Sequence, residues 1–175
     1  MEPMPVTIEE DQARFAAIVL PHLAQAYRLA RWITGSPTDA QDVVQEAAAR
    51  AFRSIGSFAG VSPAAWTLTI VRNTANSWLR KHRREVPSDD ADDMADRIDP
   101  AETPESHLLR KADVETVRRA VAALPAHYRE VIVLREIDEL DYREIARIVD
   151  APIGTVMSRL ARGRRLLMHA LGEVR

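Results

Sequence analysis

Residues Leu140 to Leu167 read LDYREIARIVDAPIGTVMSRLARGRRLL, and this stretch decides the fold of the second half of the chain. Its first part has apolar residues at three- and four-residue spacing, which predicts a short helix with one buried face formed by Tyr142, Ile145, Ala146 and Val149. The pattern breaks at Asp150-Ala151-Pro152. Proline suits the first position of a helix, because the N–H that it lacks would have no partner there.

A second helix is therefore predicted from about Ile153. Its buried side would hold Ile153, Val156, Leu160 and Leu167, and its other side would carry Thr155, Ser158, Arg162 and Arg165. Two short helices joined by a tight turn, with a small Ala146 where they approach each other, form a helix-turn-helix. Arginines on the outer face make the second helix a candidate for binding in the major groove of DNA. An ordinary helical hairpin with a solvated basic face is the alternative.

Composition places the rest of the chain in the same class. The 175 residues are enough for one domain of good size or two small ones. Hydrophobic residues make up 46% and aromatic residues only 5%, and the many Ala, Leu, Arg and Glu residues predict an all-α fold. The absence of cysteine excludes disulfides and thiolate metal sites. The acidic start MEPMPVTIEEDQ does not resemble a signal peptide, so we expect a cytoplasmic protein without membrane insertion.

The net charge of −2 hides an uneven distribution. Residues 72–84 contain five basic side chains and no acid. Residues 85–105 contain nine acids against Arg97 alone, and from Thr155 onward five arginines face only Glu173. Blocks of opposite sign predict separate basic surfaces that are joined by an acidic tether.

Three helices are predicted in the first half. The first continues to Thr34 and is ended by Gly35. Thr38 or Asp39 would cap the second, whose inward side would hold Val44, Ala47, Ala48, Ala51 and Ile55. Its outward side carries Asp42, Gln45, Glu46, Arg50 and Arg53, and from the residues alone simple solvation of that side is favoured.

The third helix is predicted from about Ala64 to Arg83, after a loop at 57–63. Its apolar side would hold Trp66, Ile70, Val71, Ala75, Trp78 and Leu79. A second stripe contains Arg72, Asn76, Arg80 and Arg83 or Arg84. A basic stripe is ordinarily a solvated face, but the lack of any compensating acid and the presence of Asn73 and Asn76 favour a nucleic-acid surface.

These patterns divide the chain into a domain at 10–85, an acidic flexible linker at 86–107 and a domain at 108–175. The last domain would begin with a helix that buries Val114, Val117, Val121 and Leu124, followed by one that buries Tyr128, Val131, Ile132 and Leu134. The five histidines are scattered, and there is no phosphate-binding glycine loop or nucleophile motif. We therefore expect no enzyme activity, no cofactor and no metal site.

With both domains laid out, the chain resembles the extracytoplasmic-function (ECF) sigma factors, the smallest class of bacterial RNA polymerase specificity subunits. The resemblance runs from about Phe15 to Leu171. It rests on DAQDVVQE, the loop SFAGVSP and the basic helix AWTLTIVRNTANSWLRKHRR in the first domain. In the second domain it rests on LPAHYREVIVLRE, YREIA and PIGTVMSRL.

The resemblance implies roles for residues of the first domain, the family's region two. Asp39, Asp42, Gln45 and Glu46 would bind the β′ clamp helices of core RNA polymerase, which replaces the solvation favoured above. The promoter's minus-ten element would be bound as an unpaired strand with a base extruded from the stack. The residues expected along it are Phe58, Gly60, Val61, Ser62, Arg72, Asn73, Asn76 and Arg80.

The second domain would correspond to region four, which contacts the polymerase β flap and the minus-thirty-five element. The expected DNA contacts are Thr155, Met157, Ser158, Arg159, Arg162 and Arg165. Asp150 stands where the family often has Gly, and Asp tolerates the left-handed conformation that the turn needs. Met157 replaces a position that is commonly basic, and Ala161 one that is often larger.

The expected function is promoter-specific initiation of transcription under the control of an anti-sigma factor. One alternative is a dimeric regulator with a similar helix-turn-helix, which would not require the DAQDVVQE helix or the basic helix. Another is an interaction protein that mimics a sigma factor, which would tend to lose Arg72, Arg80, Arg162 and Arg165.

Overall fold

The computed structural model describes residues 8–85 and 105–172, with side chains described at 8–82 and 114–172. Within these ranges the chain is helical and contains no strand, so the predicted all-α class is confirmed. The predicted linker at 86–107 falls mostly outside the described residues, although a helix already begins at Glu105. None of the helices described is both long and apolar enough to cross a membrane.

Four helices form the first module: α1 (Ile8–Ile18), α2 (Leu23–Thr34), α3 (Pro37–Ser54) and α4 (Pro63–Glu85). A 3₁₀ turn at Leu20–His22 contains Pro21 and separates α1 from α2. Gly35 ends α2 in the left-handed conformation, with φ +76°, and donates its N–H to the carbonyl of Arg31. The cap of α3 is Ser36, whose hydroxyl accepts the N–H of Asp39 at 3.3 Å, so the prediction of Thr38 or Asp39 was wrong.

The second module contains α5 (Glu105–Ala122), α6 (Ala126–Ile132), α7 (Tyr142–Val149) and α8 (Ile153–Gly172). A π-helical turn at Val133–Ile137 continues α6. α7 starts with a capping box, in which Asp141 and Glu144 each accept the other's backbone N–H. Asp150 adopts the left-handed conformation, with φ 50° and ψ 57°, as predicted for the turn. Pro152 precedes α8 instead of opening it, and its carbonyl accepts the N–H groups of Thr155 and Val156.

Several residues that the sequence pattern predicts to be buried are exposed or only partly buried in the structure. On α3, Val43 is buried at 1% exposure and Val44 only partly so. On α5, Val114 and Val117 are exposed at 63% and 44%, whereas Val121 and Leu124 are buried as expected. On α8, Ile153 is 41% exposed. Ile153 is the first residue of α8, and Val114 and Val117 precede the buried Val121 on α5, so the buried part of each helix begins after these positions.

The two modules pack against each other. α4 contacts α7, and α2 contacts α6 and the π-helical turn. One buried apolar cluster includes residues of both modules, among them Leu29, Val43, Leu68, Val71, Ile132, Leu134, Ile145 and Ile148. The helices that carry the predicted DNA contacts are therefore held by a single shared core.

Candidate nucleic-acid interfaces

The predicted minus-ten surface begins at the loop between α3 and α4. Phe58 packs edge-on against Trp66, with ring centroids 5.5 Å apart, which fixes the start of the loop. Gly60 has φ +80°, a conformation that glycine adopts without strain, and Val61 beyond it is 69% exposed. The loop therefore presents an apolar side chain at the surface, next to the start of α4.

Ser62 ends this loop and caps α4. Its hydroxyl oxygen accepts the N–H of Ala65 at 3.2 Å, and its O–H donates to the Oε1 atom of Glu144 at 2.8 Å. Because Glu144 also belongs to the capping box of α7, this one hydrogen bond joins the start of α4 to the start of α7. The predicted minus-ten loop is thus tied to the second module.

The basic stripe of α4 is only partly open to solvent. Asn73 and Arg80 are exposed, and Asn76 is half-buried. Arg72 is different: its side chain is 19% exposed and forms a bidentate ion pair with Glu130 of α6, which is 11% exposed. The Nε–Oε1 and Nη2–Oε2 distances are 2.8 and 3.1 Å. Arg72 is therefore the one member of the predicted stripe whose guanidinium is neutralised by the other module in the described residues.

A second ion pair joins the modules at the end of the π-helical turn. Arg28 of α2 donates through Nε and Nη2 to the same oxygen, Oδ1 of Asp138, at 2.9 and 2.5 Å. The Asp138 side chain is fully buried, and its Oδ2 atom has no hydrogen-bond partner in the described part of the chain. Burial raises the pKa of Asp138 above its ordinary value, while the hydrogen bond and charge of Arg28 act in the opposite direction.

The predicted polymerase-binding side of α3 faces solvent. Asp42, Gln45 and Glu46 are exposed, and Asp39 is half-buried near the start of the helix. Arg50 lies one turn from Glu46 at 2.7 Å, and its hydrogen bond lowers the pKa of that carboxyl. The four residues stand at positions 39, 42, 45 and 46 of one helix, so they form a continuous acidic and polar face.

The predicted minus-thirty-five surface is the outer side of α8. Met157, Ser158, Arg162 and Arg165 are exposed, and Thr155 and Arg159 are half-buried. Val156, Leu160 and Gly163 lie buried on the opposite side of the helix. Among the described residues, neither Arg162 nor Arg165 has an ion-pair partner, whereas Arg164 pairs with Glu136 at 2.6 Å. Two arginines are thus presented to solvent on the predicted minus-thirty-five surface.

The sequence interpretation missed the acids of the second module that contact the first: Glu130, Asp138 and Glu144. Glu130 carries a signal that was available, because it stands inside the apolar run YREVIVL. A charged residue at a buried helix position needs a partner of opposite charge. Which partner it finds depends on how the two modules pack, and spacing along the sequence carries no information on that.

Comparison with known proteins agrees with this architecture. The family model of sigma-70 region 2 matches residues 18–85, and that of sigma-70 region 4 matches residues 115–167. The ECF RNA polymerase sigma-E factor of Escherichia coli K12 is 35% identical over 166 residues, which cover 90% of this chain and 86% of that protein. The protein of the same name from Haemophilus influenzae is 35% identical over 144 residues, 78% of this chain and 76% of its own length.

Solved structures give the same result. The sigma factor RpoE from Bartonella quintana, in complex with the anti-sigma factor NepR, superposes with a TM-score of 0.74 at 31% identity. The superposition covers 89% of this chain and 95% of that chain. CnrH, in complex with the cytosolic domain of CnrY, has the same fold, with a TM-score of 0.65 at 23% identity over 95% of this chain and 92% of its own.

Proposed function

The chain belongs to the ECF sigma factors of the sigma-70 family, and from that premise we propose that it binds core RNA polymerase, directs it to a two-part promoter and helps to open the DNA. The observation that supports this best is the presence of three separate surfaces in the family's order. These are an acidic face on α3, a loop and basic stripe at α4, and an arginine-bearing outer face on α8. Such a protein would act in the cytoplasm, where the polymerase is.

Each surface has a role that its chemistry fits. The exposed carboxylates of α3 would bind a basic or amide-rich surface of the polymerase. The exposed Val61 and the neighbouring α4 face would hold an unpaired strand, since apolar and basic groups together bind bases and phosphates. Arg162 and Arg165 would contact phosphates or guanine edges of the minus-thirty-five duplex.

Run-off transcription with core polymerase on candidate promoters tests this proposal. We expect the wild-type protein to support initiation, and Arg162→Ala to reduce it by roughly tenfold by weakening minus-thirty-five binding, since one good side-chain contact to DNA contributes about 1–3 kcal/mol. Affinity for core polymerase should stay unchanged. Arg164→Ala is the matched control, because Arg164 lies on the same helix but pairs with Glu136.

Two outcomes would contradict the proposal. If the protein bound duplex DNA tightly but supported initiation on no promoter, the dimeric regulator would be the better interpretation. If Arg162→Ala abolished binding to core polymerase, the assignment of the two modules would be wrong.

We also propose that an anti-sigma factor controls this protein, because a relative at 31% identity was solved as a complex with one. A cognate anti-sigma domain, co-expressed with this chain, should form a stoichiometric complex and abolish run-off transcription. Normal transcription by the complex would disprove this regulation.

A further inference from the structure

The outer side of α8 has two edges of different chemistry. One edge, which we call the apolar edge, holds three exposed residues that recur every four positions, Ile153, Met157 and Ala161. Ile153 is 41% exposed and Met157 is 53% exposed, so a large apolar side chain is open to solvent in each of the first two turns. The other edge is polar and carries Thr155, Arg159 and Arg162.

The apolar edge offers no free positive charge to DNA. In the described chain, the cation that follows on this edge is Arg164, about two turns beyond Met157. Its Nε and Nη2 atoms donate to Oε1 of Glu136 at 2.9 and 2.6 Å, so its charge is already paired. The apolar edge therefore lacks a group that could neutralise a phosphate or donate to the O6 and N7 acceptors of guanine.

The hydrogen-bond donors of the exposed arginines lie further along the same helix. Ser158, beside Met157, donates its hydroxyl to the carbonyl of Thr155 at 3.0 Å, so that proton is already engaged. Arg162 is the first exposed arginine of α8, and five residues of helix place it about 7.5 Å beyond Met157 along the axis. Successive base pairs are only about 3.4 Å apart, so the two side chains meet different base pairs.

The major groove presents one apolar group to a side chain such as Met157, the C5-methyl group of thymine. A thioether donates no hydrogen bond and is a weak acceptor, so it cannot pair with the polar edge of a base. The unbranched side chain is flexible enough to follow the surface of a methyl group. Residues near the start of a recognition helix are the ones that reach base edges, and Met157 lies in the second turn of α8.

We propose that Met157 is a specificity-determining residue, which selects thymine in the minus-thirty-five element through contact with its C5-methyl group. The element then contains thymine at the base pair that faces the apolar edge, and the contacts of Arg162 and Arg165 fall beyond it. This inference rests on the proposed function, since it takes α8 as the helix that binds the duplex.

The first test identifies the preferred sequence. The free full-length protein selects bound duplexes from a randomised library, which requires no polymerase. We expect the wild-type protein and Met157→Leu to enrich thymine at one position, and Met157→Ala to lose the preference there alone. Met157→Arg should replace thymine by guanine at that position, because guanine accepts from arginine through O6 and N7.

Met168→Ala is the matched control for this selection. Met168 is a methionine of the same helix and is 69% exposed, but it lies about three turns beyond Met157. Its loss should leave the preference for thymine unchanged. Met157 is itself exposed, so its substitution leaves the core of the protein intact.

The second test removes the methyl group from the DNA instead of the side chain from the protein. Deoxyuridine in place of the selected thymine keeps every hydrogen-bonding group and removes only the C5-methyl group. We expect the wild-type protein to bind this duplex roughly fourfold more weakly in fluorescence anisotropy, the effect of losing one buried methyl-sized group. Met157→Ala should bind the two duplexes equally.

Three results would overturn the proposal: no enriched sequence with the free protein, a preference for thymine that persists in Met157→Ala, or equal sensitivity of both proteins to deoxyuridine. Failure of the proposed function has a different signature. A protein that selects thymine through Met157 but supports no run-off transcription would refute that function and leave the role of Met157 standing.

Discussion

Asp138 is a buried residue of the described chain whose hydrogen bonding is incomplete. Only its Oδ1 atom is bonded, while Oδ2 is buried without a partner, and burial raises the pKa of the carboxyl. Its partner Arg28 keeps 42% of its side chain exposed, so the arginine can remain solvated if the pair is lost. The charge on Asp138 therefore contributes little stability at neutral pH.

Replacing Asp138 with Asn tests this directly. We expect the free energy of unfolding at neutral pH to be unchanged or higher, because the variant no longer buries a charge. The raised pKa means that the folded state binds this proton more tightly than the unfolded chain. The corresponding stability is complete below the ordinary value of 3.8 and is lost as the pH rises through the raised pKa.

Urea unfolding across the acid range would show the difference. The wild-type protein should gain stability relative to Asp138→Asn as the pH falls toward the raised pKa, and Glu136→Gln serves as a control at an exposed pair. A loss of several kcal/mol in the Asn variant at neutral pH would mean that the charged pair stabilises the fold.

The helices α6 and α8 approach each other closely at Gly163. A Cβ atom there would lie 2.9 Å from Cγ1 and 3.2 Å from Cδ1 of Ile132, which is itself 2% exposed. Glycine in a helix interior costs about 1 kcal/mol relative to alanine, so the close packing has to offset that cost. The small residue fixes the distance between the helix that carries Glu130 and the helix that carries Arg162.

We expect Gly163→Ala to lower the free energy of unfolding by about 1 kcal/mol, since overpacking costs about 1–3 kcal/mol and the gain in helix propensity is only about 1 kcal/mol. Gly154→Ala, in the first turn of α8, is the control. A Cβ atom at Gly154 has no neighbour within 4 Å, so that variant should lose no stability in thermal unfolding. If Gly163→Ala were as stable as the wild-type protein, the two helices would have room for a methyl group at this position.

At the scale of the whole molecule, the shared core makes the two modules depend on each other for stability. Because apolar residues of both belong to one buried cluster, we expect one calorimetric transition whose van't Hoff and calorimetric enthalpies agree. Glu130→Gln should divide it into two or broaden it, while Glu136→Gln should not. Two separate transitions in the wild-type protein would show that the modules unfold independently.

Sequence patterns predicted the helices and, on α8, which side chains are buried and which are exposed, because both follow from spacing along one helix. Val156 and Leu160 are buried and Arg162 and Arg165 exposed, as the period of α8 predicts. Spacing wrongly predicts that Val114, Val117 and Ile153 are buried. These residues continue an apolar pattern past the part of the helix that a neighbouring helix covers. An apolar period identifies a face, but the neighbouring elements decide how far along the helix that face is buried.

The contact between the modules could not be predicted in the same way. Arg72 and Glu130 are 58 residues apart, and the period of neither helix identifies the partner on the other helix. The roles of the polymerase-binding and DNA-binding residues came from family resemblance, and they remain predictions here. The structure adds which of those residues are exposed. It also shows that Arg72 and Ser62 are bonded to side chains of the second module.

The Arg72–Glu130 pair also has a consequence for how the two positions can change. Both side chains are largely buried, so a substitution that removes one charge leaves the other buried without its partner. A reversal of either charge alone would bring two like charges together, whereas an exchange of the two residues would keep one of each sign. We therefore expect the two positions to change as a pair, although 58 residues separate them in the sequence.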